Sequence, residues 1–208
     1  MARPKRQEAR RSELVAAAQR AIIGHGPGLG LHHVAEEAGL TSGAVLYYYP
    51  NLDELVLEAN RAGMERFYEQ RSRMLNELPD DPVDRLLALI RSGLPADRTD
   101  EGVRFLCELG GSAGRNPTAA ALLTTLFDRQ VSLYQVVLEQ GAARGIFKLT
   151  QGSLTIARNL VALEDAYGYR IVAQHPVIDH AGAAELIIAF ARMSTGHPLI
   201  PAGTAASR

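Results

Sequence analysis

Residues 31–50 constrain this chain more than any other stretch. They read Leu-His-His-Val-Ala-Glu-Glu-Ala-Gly-Leu-Thr-Ser-Gly-Ala-Val-Leu-Tyr-Tyr-Tyr-Pro. Leu31, Val34, Ala35 and Ala38 recur at the spacing of one helical face. Gly39 can take the positive φ that closes a helix. Leu40 is an apolar anchor for the turn, Thr41 is placed to cap a second helix, and Pro50 stops that helix. Ala35 is small where the two helices must cross closely. The pattern predicts a helix-turn-helix. Its second helix, seven or eight residues long, is a rod of roughly 11 Å. That is short enough to enter a major groove about 12 Å wide.

Gly and Pro divide the rest of the chain into helical segments. Before the motif, Leu14, Ala17, Ala18, Ala21 and Ile22 form an apolar stripe on a helix from about Gln7 to Ile23, which Gly24 to Gly28 ends. After it, a long helix is expected from Leu52 to Glu77. Another follows Pro82, with Leu86, Leu87, Leu89 and Ile90 on its face. Pro95 to Asp100 reads as a loop and Glu101 to Ala113 as a helix. Asn116-Pro117 opens a helix to about Arg144, and Gly145 breaks it. Two more are expected, from about Gln151 to Gln174 and from Ile178 to Ser194. No stretch alternates with the period of a strand, and no internal repeat is present. The expected fold class is all-α, with about nine helices. Residues 1–51 are expected as the helix-turn-helix domain, 52–196 as a helical bundle, and 197–208 as a disordered tail.

Composition fits a folded chain, with 47% of residues hydrophobic. No apolar run approaches the roughly 20 residues that span a bilayer, and the basic N-terminus leads into no signal-peptide core. Cys107 is the single cysteine, so no disulfide can form within this chain. It reads as a small hydrophobe in an apolar stretch. These features point to a cytoplasmic location. Net charge is −1, which excludes a generally basic coat. Yet Arg3, Lys5, Arg6, Arg10 and Arg11 crowd the start, where they can approach phosphates. Enzyme motifs are missing: there is no His-Glu-x-x-His, Gly-x-Ser-x-Gly, P-loop or Cys/His ligand spacing, and His175 and His180 lack partners at metal spacing. No cofactor or metal is implied.

With these residues in view, the sequence resembles the TetR family of bacterial regulators. The resemblance rests on Val34-Ala35, Ala38-Gly39-Leu40, Thr41, Gly43, Tyr47-Tyr48-Tyr49 and Asp53-Glu54-Leu55, within residues 10–57. It implies a DNA-binding protein, not an enzyme, whose recognition helix runs from Ser42 to Tyr48. Ser42, Gly43, Ala44 and Tyr47 would lie at the groove, Tyr48 and Thr41 would bond phosphates, and His32 would reach the backbone. Tyr49, where the family usually has Phe, is expected in the core. Three positions depart from the pattern. Leu46 stands where a phosphate-binding Tyr is usual, Leu52 replaces a Lys, and Ala44 replaces a common Thr. Arg3, Lys5 and Arg6 are expected to compensate as a flexible arm on the DNA backbone or in a minor groove.

The resemblance also implies that residues 52–196 dimerise and hold a small-molecule effector. The run Ala143-Arg144-Gly145-Ile146-Phe147, with Val161 to Ala166, is similar to the subgroup that includes choline-responsive repressors. Phe105, Leu109, Phe127, Tyr134, Glu164, Asp165 and Tyr167 are the candidate ligand residues. Glu164 and Asp165 interrupt an apolar run, and a buried carboxylate needs a partner. A cationic ligand, Arg158, Arg170 or plain exposure would each serve. Leu186, Ile187, Phe190 and Met193 are the candidate dimer residues. The expected partners are a second copy of the chain, double-stranded operator DNA and an effector, with release of DNA on effector binding. An activator or a ligand-independent regulator of the same family fits the sequence as well, and a helical protein-interaction adaptor would explain the bundle without the motif.

Overall fold

The computed structural model describes residues 2–200, and their side chains from Arg6 onward. Nine α-helices make up the described residues: α1 (Ala2–His25), α2 (Leu31–Glu37), α3 (Ser42–Tyr48), α4 (Leu52–Glu77), α5 (Pro82–Ser92), α6 (Glu101–Ala113), α7 (Pro117–Ala143), α8 (Ser153–Val172) and α9 (His180–Thr195). A single 3-10 turn, Gly26–Gly28, links α1 to α2. The fold is all-α.

Short polar side chains set the helix starts. Asp81 Oδ1 accepts from the Val83 and Asp84 amides at 2.8 and 3.0 Å, with Pro82 in the first position, where its missing N–H costs nothing. Asn116 Oδ1 does the same for α7, accepting from Thr118 and Ala119 at 3.0 and 3.1 Å. Asp179 caps α9 through the Gly182 amide at 2.8 Å. Each such cap is worth about 1 kcal/mol.

The chain folds as two compact units. One comprises residues 1–66 and 104–124, the other 67–103 and 125–208. The boundary falls inside α4, beyond the expected division after residue 51, and part of α6 and α7 joins the first unit. The first unit closes over Leu14, Ala17, Ala18, Ala21, Val34, Ala35, Val45, Tyr49, Leu55 and Phe105. Small residues dominate it because short helices can cross only where side chains are small. Gln19, almost buried, donates to the Ala59 carbonyl at 2.8 Å and accepts from Arg66 at 2.8 Å, tying α1 to α4.

The second unit has a larger core, with Leu86, Leu87, Leu89, Ile90, Leu138, Ile156, Leu160 and Ile187 among its residues. Leu199 is 1% exposed in this core, and Pro198 accepts from Arg192 Nε at 2.9 Å. Leu199 thus anchors to the unit a stretch expected as a disordered tail, while Pro198 and Ile200 are exposed. Residues 201–208 lie outside the described ones.

Candidate nucleic-acid interface

Helices α2 and α3 meet through a turn held by its backbone. The Leu40 amide donates to the Ala35 carbonyl at 2.8 Å, and Gly39 sits at φ +63°, a conformation that costs any residue with a Cβ. Thr41 has extended backbone, and its Oγ1 accepts from the Ala44 amide at 3.2 Å. Thr41 thus caps α3 from outside it. Val45 is completely buried and pins the inner face of α3.

The outer face of α3 is bare. Tyr47 is 76% exposed and Leu46 44% exposed. Gly43 is exposed, while Ser42, Ala44 and Tyr48 are half-buried. The Tyr47 and Tyr48 rings meet edge to face, 5.0 Å between centroids. Beside them lies an open groove of about 520 Å³ lined by Arg6, Gln7, Arg10, Glu13, Tyr47 and Tyr48. Arg10 pairs with Glu13 at 2.6 Å on the surface. The groove therefore joins a cationic helix edge to two tyrosines. His32 is exposed, and its ring lies 3.8 Å from that of His33, which stacks on His25 at 3.6 Å. Desolvation, then the neighbouring His25 and His32, holds the His33 imidazole below its ordinary value.

One expectation changes here, and a second gains detail. The flexible arm is absent as such, because α1 begins at Ala2 and residues 2–6 continue the helix. The side chains of Arg3 and Lys5 lie outside the described residues; that of Arg6 lines the groove. Tyr49 is buried at 1% exposure, but it does more than replace a Phe. The Arg11 guanidinium lies 4.4 Å over its ring and pairs with Glu58 at 2.9 Å. The Tyr49 hydroxyl has no hydrogen-bond partner among the described residues. Burial first, and the Glu58 carboxylate second, push the phenol up to about 12.

The candidate ligand residues divide between the units. Phe105 and Leu109 are buried in the first, and Phe127, Tyr134, Glu164, Asp165 and Tyr167 belong to the second. Glu164 is 2% exposed and its partner is neither Arg158 nor Arg170, both of which are exposed on α8. Its partner is Arg71 of α4, equally buried, which forks onto the carboxylate at 2.8 and 3.1 Å. Arg71 also donates to the Leu89 carbonyl at 2.9 Å and to Gln130, and the Tyr134 hydroxyl donates to Glu164. Burial pushes the Glu164 carboxyl up to about 7 against the opposing pull of Arg71. A methyl group at Gly93 would fall 2.0 Å from this carboxyl, so the position must lack a side chain. Sequence alone offered no signal for Arg71, one cation among many on a mixed-charge helix.

Among the candidate dimer residues, Leu186 and Met193 are exposed at 49% and 69%, and Phe190 is half-buried. Ile187 is not part of that face. It is completely buried in its own core, because consecutive helical residues point about 100° apart.

No family model and no curated protein matches the sequence. Solved structures do match the fold. A transcriptional regulator from Saccharomonospora viridis in complex with choline superposes with a TM-score of 0.79 at 22% identity, over 88% of this chain and 95% of that one. A TetR-family regulator from Rhodococcus sp. gives 0.78 at 22% identity, over 90% and 99%. A TetR transcription regulator from Haloarcula marismortui gives 0.79 at 22% identity, over 90% and 98%. All three share this chain's all-helical architecture. The chain has the fold of these TetR-family structures over about nine-tenths of its length.

Proposed function

We propose that the protein is a homodimeric, cytoplasmic transcriptional regulator, a repressor that binds palindromic operator DNA and releases it when a small-molecule effector binds. The observation that carries this reading is the outer face of α3. A seven-residue helix pinned by Val45 carries a tyrosine at 76% exposure and a leucine at 44%, next to a groove edged by Arg6 and Arg10. Neither Tyr47 nor Leu46 serves the core, and a protruding short helix is the shape a major groove accepts. Ser42, Gly43, Ala44 and Tyr47 would face base edges. Thr41, Tyr48, His32 and the basic residues of α1, Arg3, Lys5 and Arg6, would hold phosphates and fix register.

Two copies are needed to place two such helices roughly 34 Å apart on successive half-sites. The stripe of Leu186, Phe190 and Met193 on α9 is the surface we assign to that contact. For the effector, choline is the first compound to try, since the Saccharomonospora viridis regulator holds it. The chain's own residues do not argue for it, because the Glu164 carboxylate that a cation would need is already held by Arg71.

The test is selection of random duplex DNA on the purified protein, followed by anisotropy titration of the winner at several salt concentrations. A palindromic winner bound tightly, with affinity falling steeply as salt rises, is expected. No enrichment over non-specific DNA would move the adaptor reading to the front. An effector must bind the DNA-free form better, so a compound that binds yet leaves operator affinity unchanged is not one.

A further inference from the structure

The first unit contains a cavity of about 160 Å³ between the end of α1, the 3-10 turn, α4 and α6. Its walls are Ile22, Leu29, Val56 and Leu109, aliphatic throughout. Four polar side chains line it: Ser112 donates to the Leu109 carbonyl at 2.7 Å, while Asn60, Glu108 and Arg115 have no side-chain partner among the described residues. Asn60, 9% exposed overall, lines it with an amide that is not committed to another side chain. Glu108 has no ion pair, and neither does Arg115 in the turn after α6. Gly26 sits at φ +47°, and a Cβ there would fall 2.7 Å from Glu108 Oε2. The turn backbone is thus kept clear for that carboxylate.

We propose that this cavity is a binding site for a small zwitterion, an α-amino acid with a short aliphatic side chain. Glu108 would accept from the ammonium, Arg115 would donate to the carboxylate, and the Asn60 amide can serve either group. The aliphatic walls would take the side chain. Size agrees, since a cavity of about 150 Å³ holds a guest as large as benzene, and L-valine is only slightly larger. Quaternary ammonium ions fit poorly, because no aromatic ring lines the walls to face the cation. The site is separate from the candidate ligand residues of the second unit, and its occupancy does not depend on the chain's binding DNA.

Calorimetric titration of the full chain without DNA tests it, with L-valine, isobutylamine and isovalerate as probes. Saturable binding of L-valine is expected, with each half-molecule at least about tenfold weaker because it forfeits one charged partner. Glu108→Gln and Arg115→Gln should each weaken L-valine by about tenfold or more while leaving the thermal melt in place. Both residues lie at the partly open edge of the unit, so folding survives their exchange. No saturation by L-valine, equal binding of either half-molecule, or full affinity in both variants would overturn the assignment.

Discussion

The two units place their polar chemistry in opposite directions. Around α3 the Tyr47 ring and the helix's polar groups point outward, and the core beneath is mostly Leu, Val and Ala, with Tyr49 and Phe105 among them. In the second unit the strongest electrostatic cluster points inward, with Arg71, Glu164, Tyr134 and Gln130 all at least nine-tenths buried. An outward group is tolerant to its neighbours and loses function, not stability, when changed. An inward charge is the reverse, because its partner is left desolvated.

That contrast can be broken most forcefully at Arg71. Arg71→Met should cost about 3–5 kcal/mol in urea unfolding, since it strands a buried carboxylate. Arg71→Met with Glu164→Leu should recover most of the loss. A single-variant cost below about 1 kcal/mol would show that the pair is not desolvated as its exposure implies. Gly93→Ala comes next, at about 1–3 kcal/mol, because its methyl group overlaps the Glu164 carboxyl. On the other side of the comparison, Tyr47→Ala should leave unfolding within about 0.5 kcal/mol of the parent. It should nonetheless lower operator affinity by about tenfold. Loss of stability without loss of DNA affinity would reverse the roles of the two regions.

A further effect is one of pH. The Glu164 carboxyl is raised from its ordinary value of 4.5 to about 7 in the fold. The folded state therefore holds the proton more tightly than the unfolded chain. Its share of stability is complete below about 4.5 and is lost as pH rises through about 7. Melting curves between pH 4.5 and 8 should show this decline, and Glu164→Gln should flatten it. An unchanged slope in the variant would assign the pH dependence elsewhere.

Legibility in sequence followed the same division. The helix-turn-helix could be read because every determinant is local. The Thr41 cap acts three residues away, and Gly39 closes its own helix. The bounds of α4 and α6 could likewise be read from Pro, Gly and loop residues flanking apolar stripes. Arg71 could not be read, since its partner lies 93 positions along the chain. An oddly placed carboxylate announced that a partner was needed without saying which. Ile187 was misassigned because apolar stripes on neighbouring faces of α9 look alike until one face is occupied. Leu199 was missed because a single apolar residue after a Pro carries no period at all.

Gly93 and Glu164 also have a consequence for how such a chain can change over generations. A side chain at 93 becomes admissible only after the carboxylate at 164 has gone, and removing that carboxylate leaves Arg71 stranded until it too is replaced. The three positions form a small lock in which every single step passes through a damaged protein. Lineages should therefore keep all three residues or exchange them together. Residues 46 and 47, open to water, can drift one at a time and so retune the DNA sequence that is read.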